Sequence, residues 1–395
     1  MAQHLKHGGS VAARTIQCPA WIRLASEVPF TLNGAANAPA DEGTMLHNCM
    51  EFLYSDGLED YNFSDHHKLP DLVPHPVGEY NGQKLTQELI DTKLIPAKDA
   101  LESLFELYEL AEWKVEPFVK ISDDMGGSID FIGRSEDNKT VVIVDYKFGY
   151  VNVEVVENAQ AQFYALAAAT DPSTSDWFGP ELENIVLAII QPNGDGDDLQ
   201  TWKTNLNQID AFETEYLNAV EKTENPEALA NSGPACKFCP AEAICPVKTG
   251  EAMRATRVNE ITANKLSEYL PMVEELKSWI KSVEKMAHEQ LELGAPIKGY
   301  KLVAKRATRV WNQPEIVEDK IRKAKKITLE DGFEYKLKSP AQIEKVCKTL
   351  GIDYLKQYAP LCSSVSSGTT IAKDSDKRSA VIPFAGLKQL NDMNK

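Results

Sequence analysis

Residues Thr140–Tyr150 read TVVIVDYKFGY, a β-branched apolar run without alternation that ends in Asp145, Tyr146 and Lys147. A strand that is apolar on both sides of its pleat is buried on both faces, so this run predicts the centre of a sheet. Asp145 and Lys147, two residues apart, leave that strand on one side and Tyr146 leaves on the other. A second run, Asn184–Gln191 (NIVLAIIQ), predicts another buried strand. Between the two, Val155–Ala169 predicts a helix packed over the sheet, with Gln160 and Tyr164 on one face at i,i+4 spacing. Upstream, Lys114–Ile121 and Gly126–Gly133 predict strands. The short polar turn Ser135–Asn138 then predicts an antiparallel hairpin with the central strand, which sets Asp130 across from Asp145, with Glu116 one strand earlier.

Helical spacing accounts for much of the rest. Met45, Leu46, Cys49, Phe52 and Leu53 share one face of a helix opened by Asp41-Glu42-Gly43-Thr44, which places His47 on its first or second turn. Thr86–Trp113 predicts a long helix with Pro96 at a break or early turn, and Gln208–Lys222 an amphipathic one. Thr262–Leu293 is strongly helical, with a kink expected at Pro271 and an end at Gly294-Ala295-Pro296. Cys18-Pro19-Ala20-Trp21 falls in a polar segment ahead of the first helix. Ser64–Gly82, with three prolines and the loop histidines His66, His67 and His75, predicts an irregular excursion. Gly299–Trp311 reads as a basic hairpin or strand, the last ninety residues as short helical and polar segments, and Ser363–Gly368 as a Ser-rich loop. The expected class is mixed α/β, with a core over residues 1–250 and a helical, partly basic extension over 251–395.

Composition narrows the class of protein. The 395 residues are 43% hydrophobic, enough for an ordinary core in two domains or one large domain with additions. No apolar run reaches about 18 residues, and the N-terminus lacks the apolar core of a signal peptide, so a cytoplasmic location without membrane attachment is expected. The net charge of −17 argues against adhesion to nucleic acid over the whole surface. Residues Lys298–Lys326 depart from this: ten Lys or Arg against three acids give a local +7, leaving −24 elsewhere. Lys298, Lys301, Lys305, Arg306 and Arg309 are thus candidates for phosphate contact, against the bland reading of a solvated helix face.

Seven cysteines without an export signal point to reduced thiols or metal ligands. Cys236-x2-Cys239-x5-Cys245 brings three thiolates to one centre, and Cys18 is the candidate fourth. A zinc site built from two C-x-x-C pairs would find its fourth ligand nearby. Three clustered cysteines followed by Pro246, with one distant thiol, favour a [4Fe-4S] cluster, with zinc the alternative. Such a centre would act as a staple more than as a redox group.

Asp130 and Asp145 suit a hard divalent cation such as Mg2+ or Mn2+, which can activate water and neutralise phosphate charge, and Lys147 can orient the attacking water. For D-x-K alone, a buried Asp–Lys ion pair is the better reading; the company of Asp130, the hairpin and the Gln/Tyr helix shifts the balance. A lone helical histidine such as His47 is more often structural than a ligand.

Taken in order, these pieces resemble the PD-(D/E)XK nuclease superfamily, in the RecB-like branch that includes iron–sulfur members. Gly43-Thr44-Met45-Leu46-His47 looks like that branch's helical metal-binding histidine. Gly127-Ser128-Ile129-Asp130 resembles the first metal-binding aspartate, with Ile129 in place of the nominal proline. Asp145-Tyr146-Lys147 resembles the (D/E)XK element, and Gln160-Ala161-Gln162-Phe163-Tyr164 the QxxxY motif. Cys18 with Cys236, Cys239 and Cys245 matches the one-plus-three arrangement of cluster-bearing members. The resemblance spans about residues 18–246.

More narrowly, the chain is similar to a phage and prophage nuclease family associated with single-strand annealing recombination proteins. Gly299-Tyr300-Lys301-Leu302-Val303, Ser367-Gly368-Thr369-Thr370 and Asp376-Lys377-Arg378 fit that family as well. The resemblance implies a restriction-endonuclease-like fold with a mixed central sheet flanked by helices. It implies a Mg2+- or Mn2+-dependent DNA exonuclease that trims linear ends to single strands for recombination, in a host cytoplasm if phage-encoded. His47, Asp130, Asp145 and Glu116 would be metal ligands, Lys147 would assist the nucleophile, and Gln160 and Tyr164 would position the strand. A homo-oligomer is compatible with the resemblance. The alternatives are a catalytically silent DNA-end-binding module and a structure-specific endonuclease.

Overall fold

The computed structural model describes residues 5–28, 38–55, 77–192, 197–255, 263–334, 336–365, 368–373 and 378–381. His66, His67 and His75 lie outside them, as do Ser367, Asp376 and Lys377. The chain divides into two compact units, with the boundary between Trp279 and Ile280.

The first unit opens with two short helices, α1 (Ala12–Gln17) and α2 (Trp21–Ser26), followed by α3 (Ala38–Tyr54). Cys18 therefore sits between two helices rather than ahead of the first. Because α3 begins at Ala38, His47 falls on about its third turn, later than the sequence suggests. Strands β1 (Glu79–Tyr80) and β2 (Gln83–Lys84) form a hairpin at the end of the stretch expected to be irregular. Its turn residues Asn81 and Gly82 both take positive φ, which a two-residue turn of this kind requires.

The expected long helix over 86–113 is shorter. A π-helical segment at Ile90–Leu94 precedes α4 (Ile95–Tyr108), where Pro96 has no N–H for the regular ladder. Glu109 then takes a left-handed conformation (φ 48°) and ends the helix. Leu110–Trp113, whose apolar spacing fits either period, belong to a strand.

That strand is β3 (Leu110–Val115), followed by β4 (Phe118–Ser122), β5 (Met125–Ser128), β6 (Phe131–Ser135) and β7 (Thr140–Tyr146). Helix α5 (Ala159–Thr170) leads to β8 (Asn184–Ile190), β9 (Leu199–Thr204) and helix α6 (Leu206–Thr223). Helices α7 (Pro246–Ala255) and α8 (Ala263–Glu292) come after the cysteine-rich segment, and α8 continues through Pro271 into the second unit.

Five strands form one sheet in the order β3-β6-β7-β8-β9, with β7 and β8 parallel and the other neighbours antiparallel. The β-branched run is thus the central strand. Its two faces feed separate cores. Val142, Val144 and Tyr146 pack with Leu46, Met50, Leu101 and Leu104 of α3 and α4. Val141 and Ile143 pack with Phe163 and Leu166 of α5 and Phe212 and Tyr216 of α6. Full burial of each such side chain is worth about 1.5–3 kcal/mol, so this strand anchors the three-layer α/β/α stack.

Each of the two strands expected upstream of β7 breaks in its middle. The first breaks at Glu116 (φ 48°) and Pro117, the second at Ile129 and Asp130, so that β3 pairs with β6 in the sheet while β4 and β5 form a separate hairpin. The breaks are joined: Glu116 N–H donates to the Asp130 carbonyl (3.2 Å) and Ile129 N–H to the Pro117 carbonyl (3.1 Å). Pro117 has no N–H to offer a continuous ladder, which favours a break there.

In the second unit, β10 (Tyr300–Ala304) and β11 (Thr308–Trp311) do not pair with each other. After α9 (Pro314–Lys323), β12 (Phe333–Glu334), β13 (Lys336–Leu337) and α10 (Pro340–Leu350), the chain returns as β14 (Cys362–Val365) and β15 (Thr369–Lys373). Strand β14 pairs with β11, and β15 with β10. Of the hairpin or strand expected over Gly299–Trp311, the structure has two strands with distant partners, and the expected Ser-rich loop is corrected at its start: Ser363 and Ser364 are strand residues opposite Val310 and Arg309. Val317, Ile321, Ile343, Cys347, Tyr354 and Tyr358 form this unit's own core.

Candidate active site

The double break in the strands presents Glu116 and Asp130 together at the end of the sheet, and α3 brings His47 over them. Ligand atoms of His47, Glu116 and Asp130 all lie within 4.8 Å of one another, the spacing a single metal ion needs. His47 Nδ1 is 3.3 Å from Asp130 Oδ1, and the Tyr146 N–H donates to Asp130 Oδ2 at 2.6 Å. The His47 ring meets Tyr146 and Phe148 edge-on, which holds its plane.

Asp145 faces the other side of β7. Its Oδ2 is 2.6 Å from Lys147 Nζ, and its Oδ1 accepts from Gln160 Nε2 at 3.0 Å. Lys147 Nζ also donates to Gln160 Oε1 (3.1 Å), and Gln160 Nε2 lies 3.3 Å from the Tyr164 hydroxyl. The Gln160 amide therefore accepts from the ammonium and donates to the carboxylate, which fixes its orientation. Asn158 caps α5 by accepting from the Gln160 and Ala161 N–H groups, so Gln160 stands in the first turn.

Charge follows from burial and proximity. Burial, then the Asp130 carboxylate, pushes the Glu116 carboxyl up to about 7. Burial also raises Asp145, against the pull of Lys147. Although burial opposes charge on both, Asp130 and His47 stabilise each other's ionised forms, holding Asp130 below and His47 above their ordinary values. Glu116 is thus poised to ionise near neutral pH, and an arriving cation would take the place of the protons on Glu116 and His47.

All seven expected residues of this centre thus meet at one end of the sheet. His47, Glu116 and Asp130 share the single-ion spacing, while the Asp145 oxygens are taken by Lys147 and Gln160. The expected contacts of the basic stretch are more mixed. Lys298, Lys305 and Arg306 are exposed on the second unit, and Lys301 is half-buried in β10. Arg309 pairs with Glu344 and lies 5.4 Å from the Tyr354 ring centroid.

Sequence reasoning missed three supporting residues. Lys93 is buried, 2.6 Å from Glu42 of α3 and 3.0 Å from the Phe148 carbonyl. It ties the helix of His47 to the loop after Lys147. Its register with the buried Ile90, Ala97, Ala100 and Leu104 was the available signal. Buried Gln191 bonds Gly149 O and Val151 O (2.8 Å each) and Val153 N (3.0 Å), holding that same loop. Gly9 lies so close to the Tyr164 ring that an added Cβ would stand 2.7 Å from it.

The four cysteines of the one-plus-three pattern line one cavity together with Arg14, Gln17, Trp21 and Lys248. Among the described residues, their sulfurs do not gather to the mutual 4.8 Å spacing of the His47 set. Tetrahedral zinc, with bonds of about 2.3 Å, would hold its sulfurs about 3.8 Å apart.

Comparison with solved structures pairs this chain with the crystal structure of SSO0001. The pairing covers 60% of this chain and 84% of that one at 12% identity, and its TM-score of 0.26 carries no argument. Residues 4–379 match the family described as "Protein of unknown function (DUF2800)", and the chain belongs to that family.

Proposed function

We propose that this chain is a metal-dependent deoxyribonuclease of PD-(D/E)XK type that hydrolyses phosphodiester bonds at linear DNA ends and leaves single strands for recombination. The observation that carries this reading is the meeting of His47, Glu116 and Asp130 at single-ion spacing beside the Asp145–Lys147–Gln160 ring. Carboxylate and imidazole ligands at that spacing fit Mg2+ or Mn2+. When bound, the ion would supply an activated water and neutralise developing charge on the phosphate. Lys147, held by Asp145, directs an ammonium N–H toward the attacking water or a nonbridging oxygen. Gln160 and Tyr164 offer an amide and a hydroxyl to orient the strand.

Exposed Lys298, Lys305 and Arg306 are proposed to meet duplex phosphates. The four cysteines are proposed to hold a [4Fe-4S] cluster, since their sulfurs spread wider than one zinc ion asks; zinc is the alternative. A single-strand annealing protein in the host cytoplasm is the proposed recipient of the product, and among the described residues no helix is long and apolar enough to cross a membrane.

The test is cleavage of end-labelled linear DNA, with closed circular DNA alongside, in Mg2+ or Mn2+ and in chelator. Metal-dependent shortening from ends that is lost in Lys147→Ala is the expected result. Cutting of closed circles would replace the exonuclease by an endonuclease, and full activity of Lys147→Ala would overturn the mechanism.

A further inference from the structure

Helix α1 presents three residues to the cysteine cavity: Cys18 at its C-terminal cap, Gln17 beside it and Arg14 one turn earlier. Arg14 is held there on two sides. Its Nη2 donates to the carbonyl of Phe238, within the Cys236–Cys239 loop, at 2.5 Å, and its guanidinium carbon lies 5.1 Å from the Trp21 ring centroid. Its Nε is buried without a hydrogen-bond partner. Among the described residues, no carboxylate forms an ion pair with it. Gln17 donates to Cys236 Sγ at 3.5 Å while its carbonyl accepts from Ala235 N–H at 2.9 Å, and an added Cβ on Gly233 would run into it at 2.5 Å. The amide is thereby locked with its N–H toward sulfur.

Partial burial of a guanidinium without an ion pair is costly, and free thiols are neutral near pH 7. The other charged groups lining the cavity are buried Glu242 and Lys248, the latter paired with Glu251 and Glu275. Cysteines become anionic when they bind a metal. The cavity would then hold a net negative tetrathiolate centre directly against the guanidinium. We propose that Arg14 is the counter-cation of the metal centre held by Cys18, Cys236, Cys239 and Cys245, with Gln17 as a hydrogen-bond donor to one of its sulfurs. Both are positioning residues, and the inference rests on the reading that the four cysteines bind a metal. A cation beside an iron–sulfur cluster favours its reduced, more negative state, so Arg14 raises the reduction potential and slows loss of the metal.

The test compares the full-length wild type with Arg14→Gln, which removes the charge, and Arg14→Lys, which keeps it without the planar fork. After anaerobic purification, iron, sulfide and zinc content, visible absorption, midpoint potential and the rate of metal transfer to a chelator are measured, with circular dichroism to confirm folding. In an iron-loaded protein, Arg14→Gln should lower the midpoint potential and speed loss of iron roughly tenfold, and Arg14→Lys should restore much of both. In a zinc-loaded protein, the same order should appear in the rate of zinc transfer. Wild-type-like potential and transfer rate in a folded Arg14→Gln variant would overturn the role of Arg14 while leaving the four-cysteine centre intact. A wild type that binds neither metal through these cysteines would remove the centre and the inference together.

Discussion

Glu116 carries the sharpest consequence at the scale of the single residue. With its carboxyl pushed up to about 7 by burial and by Asp130, the metal-free folded protein retains a proton that the unfolded chain has already lost above about 4.5. Fewer protons on the unfolded state mean that stability falls as pH rises through this window. In chelator, thermal stability should therefore decline between about pH 4.5 and 7, and Glu116→Gln should flatten that slope in a melting series. Cation binding has to displace the Glu116 proton and also the proton that Asp130 favours on His47, so calorimetric Mg2+ or Mn2+ affinity should strengthen as pH rises through neutrality. Of the residues at this centre, Asp145 and Lys147 were legible from period-two spacing alone. Glu116 was legible only as lying one strand earlier and as a ligand that the resemblance implies; that it comes against Asp130 depends on the paired breaks between β3 and β4 and between β5 and β6, of which Pro117 is the one local sign. Nor does spacing reveal that Lys147 and Gln160 occupy the Asp145 oxygens.

At the scale of elements, two struts hold the geometry of the candidate site. Lys93 joins α3 to the loop after β7, and the two partners are not equivalent. Glu42→Ala leaves a buried ammonium unpaired and should cost about 3 kcal/mol in denaturant melts, whereas Lys93→Met, which fills the space with an apolar chain, should cost less. The second strut is the segment ahead of α1. His7 bonds Asp124 and Gly126 along β5, and Gly9 then presses on the Tyr164 ring, with Gly127 on the same ring. Gly9→Ala should destabilise by about 1–3 kcal/mol through overpacking and, by shifting Tyr164 against Gln160, lower kcat on DNA while metal content at the cysteines stays unchanged. Helices α5 and α6 and the strands β7 and β8 could be read almost residue by residue, since their apolar patterns are long and match one period. The end of α4 and the pairing of β10 and β11 could not. Leu110 and Trp113 suit a helix or a strand equally, and the partners of β10 and β11 arrive some sixty residues later in the chain.

For the whole molecule, the proposed cysteine centre would join residues far apart in sequence, Cys18 near the start and Cys236 after the last strand of the five-stranded sheet. A clasp that closes so long a loop restricts the unfolded chain strongly, so Cys18→Ser should lower thermal stability by several kcal/mol together with metal content. A variant that lost its metal but melted like the wild type would show that the centre does not clasp the fold. The sequence by itself determined the mixed α/β class, the doubly buried central strand and most of the residues gathered at its end, because each follows from hydrophobic period or from the chemistry of ligand-type side chains. The tertiary structure alone decided which of them come within 4.8 Å of one another, that the upstream strands break to bring Glu116 against Asp130, and that Arg14 shares a cavity with the four cysteines. Those outcomes depend on contacts between segments as much as 224 residues apart, and local pattern carries no information about distance in space.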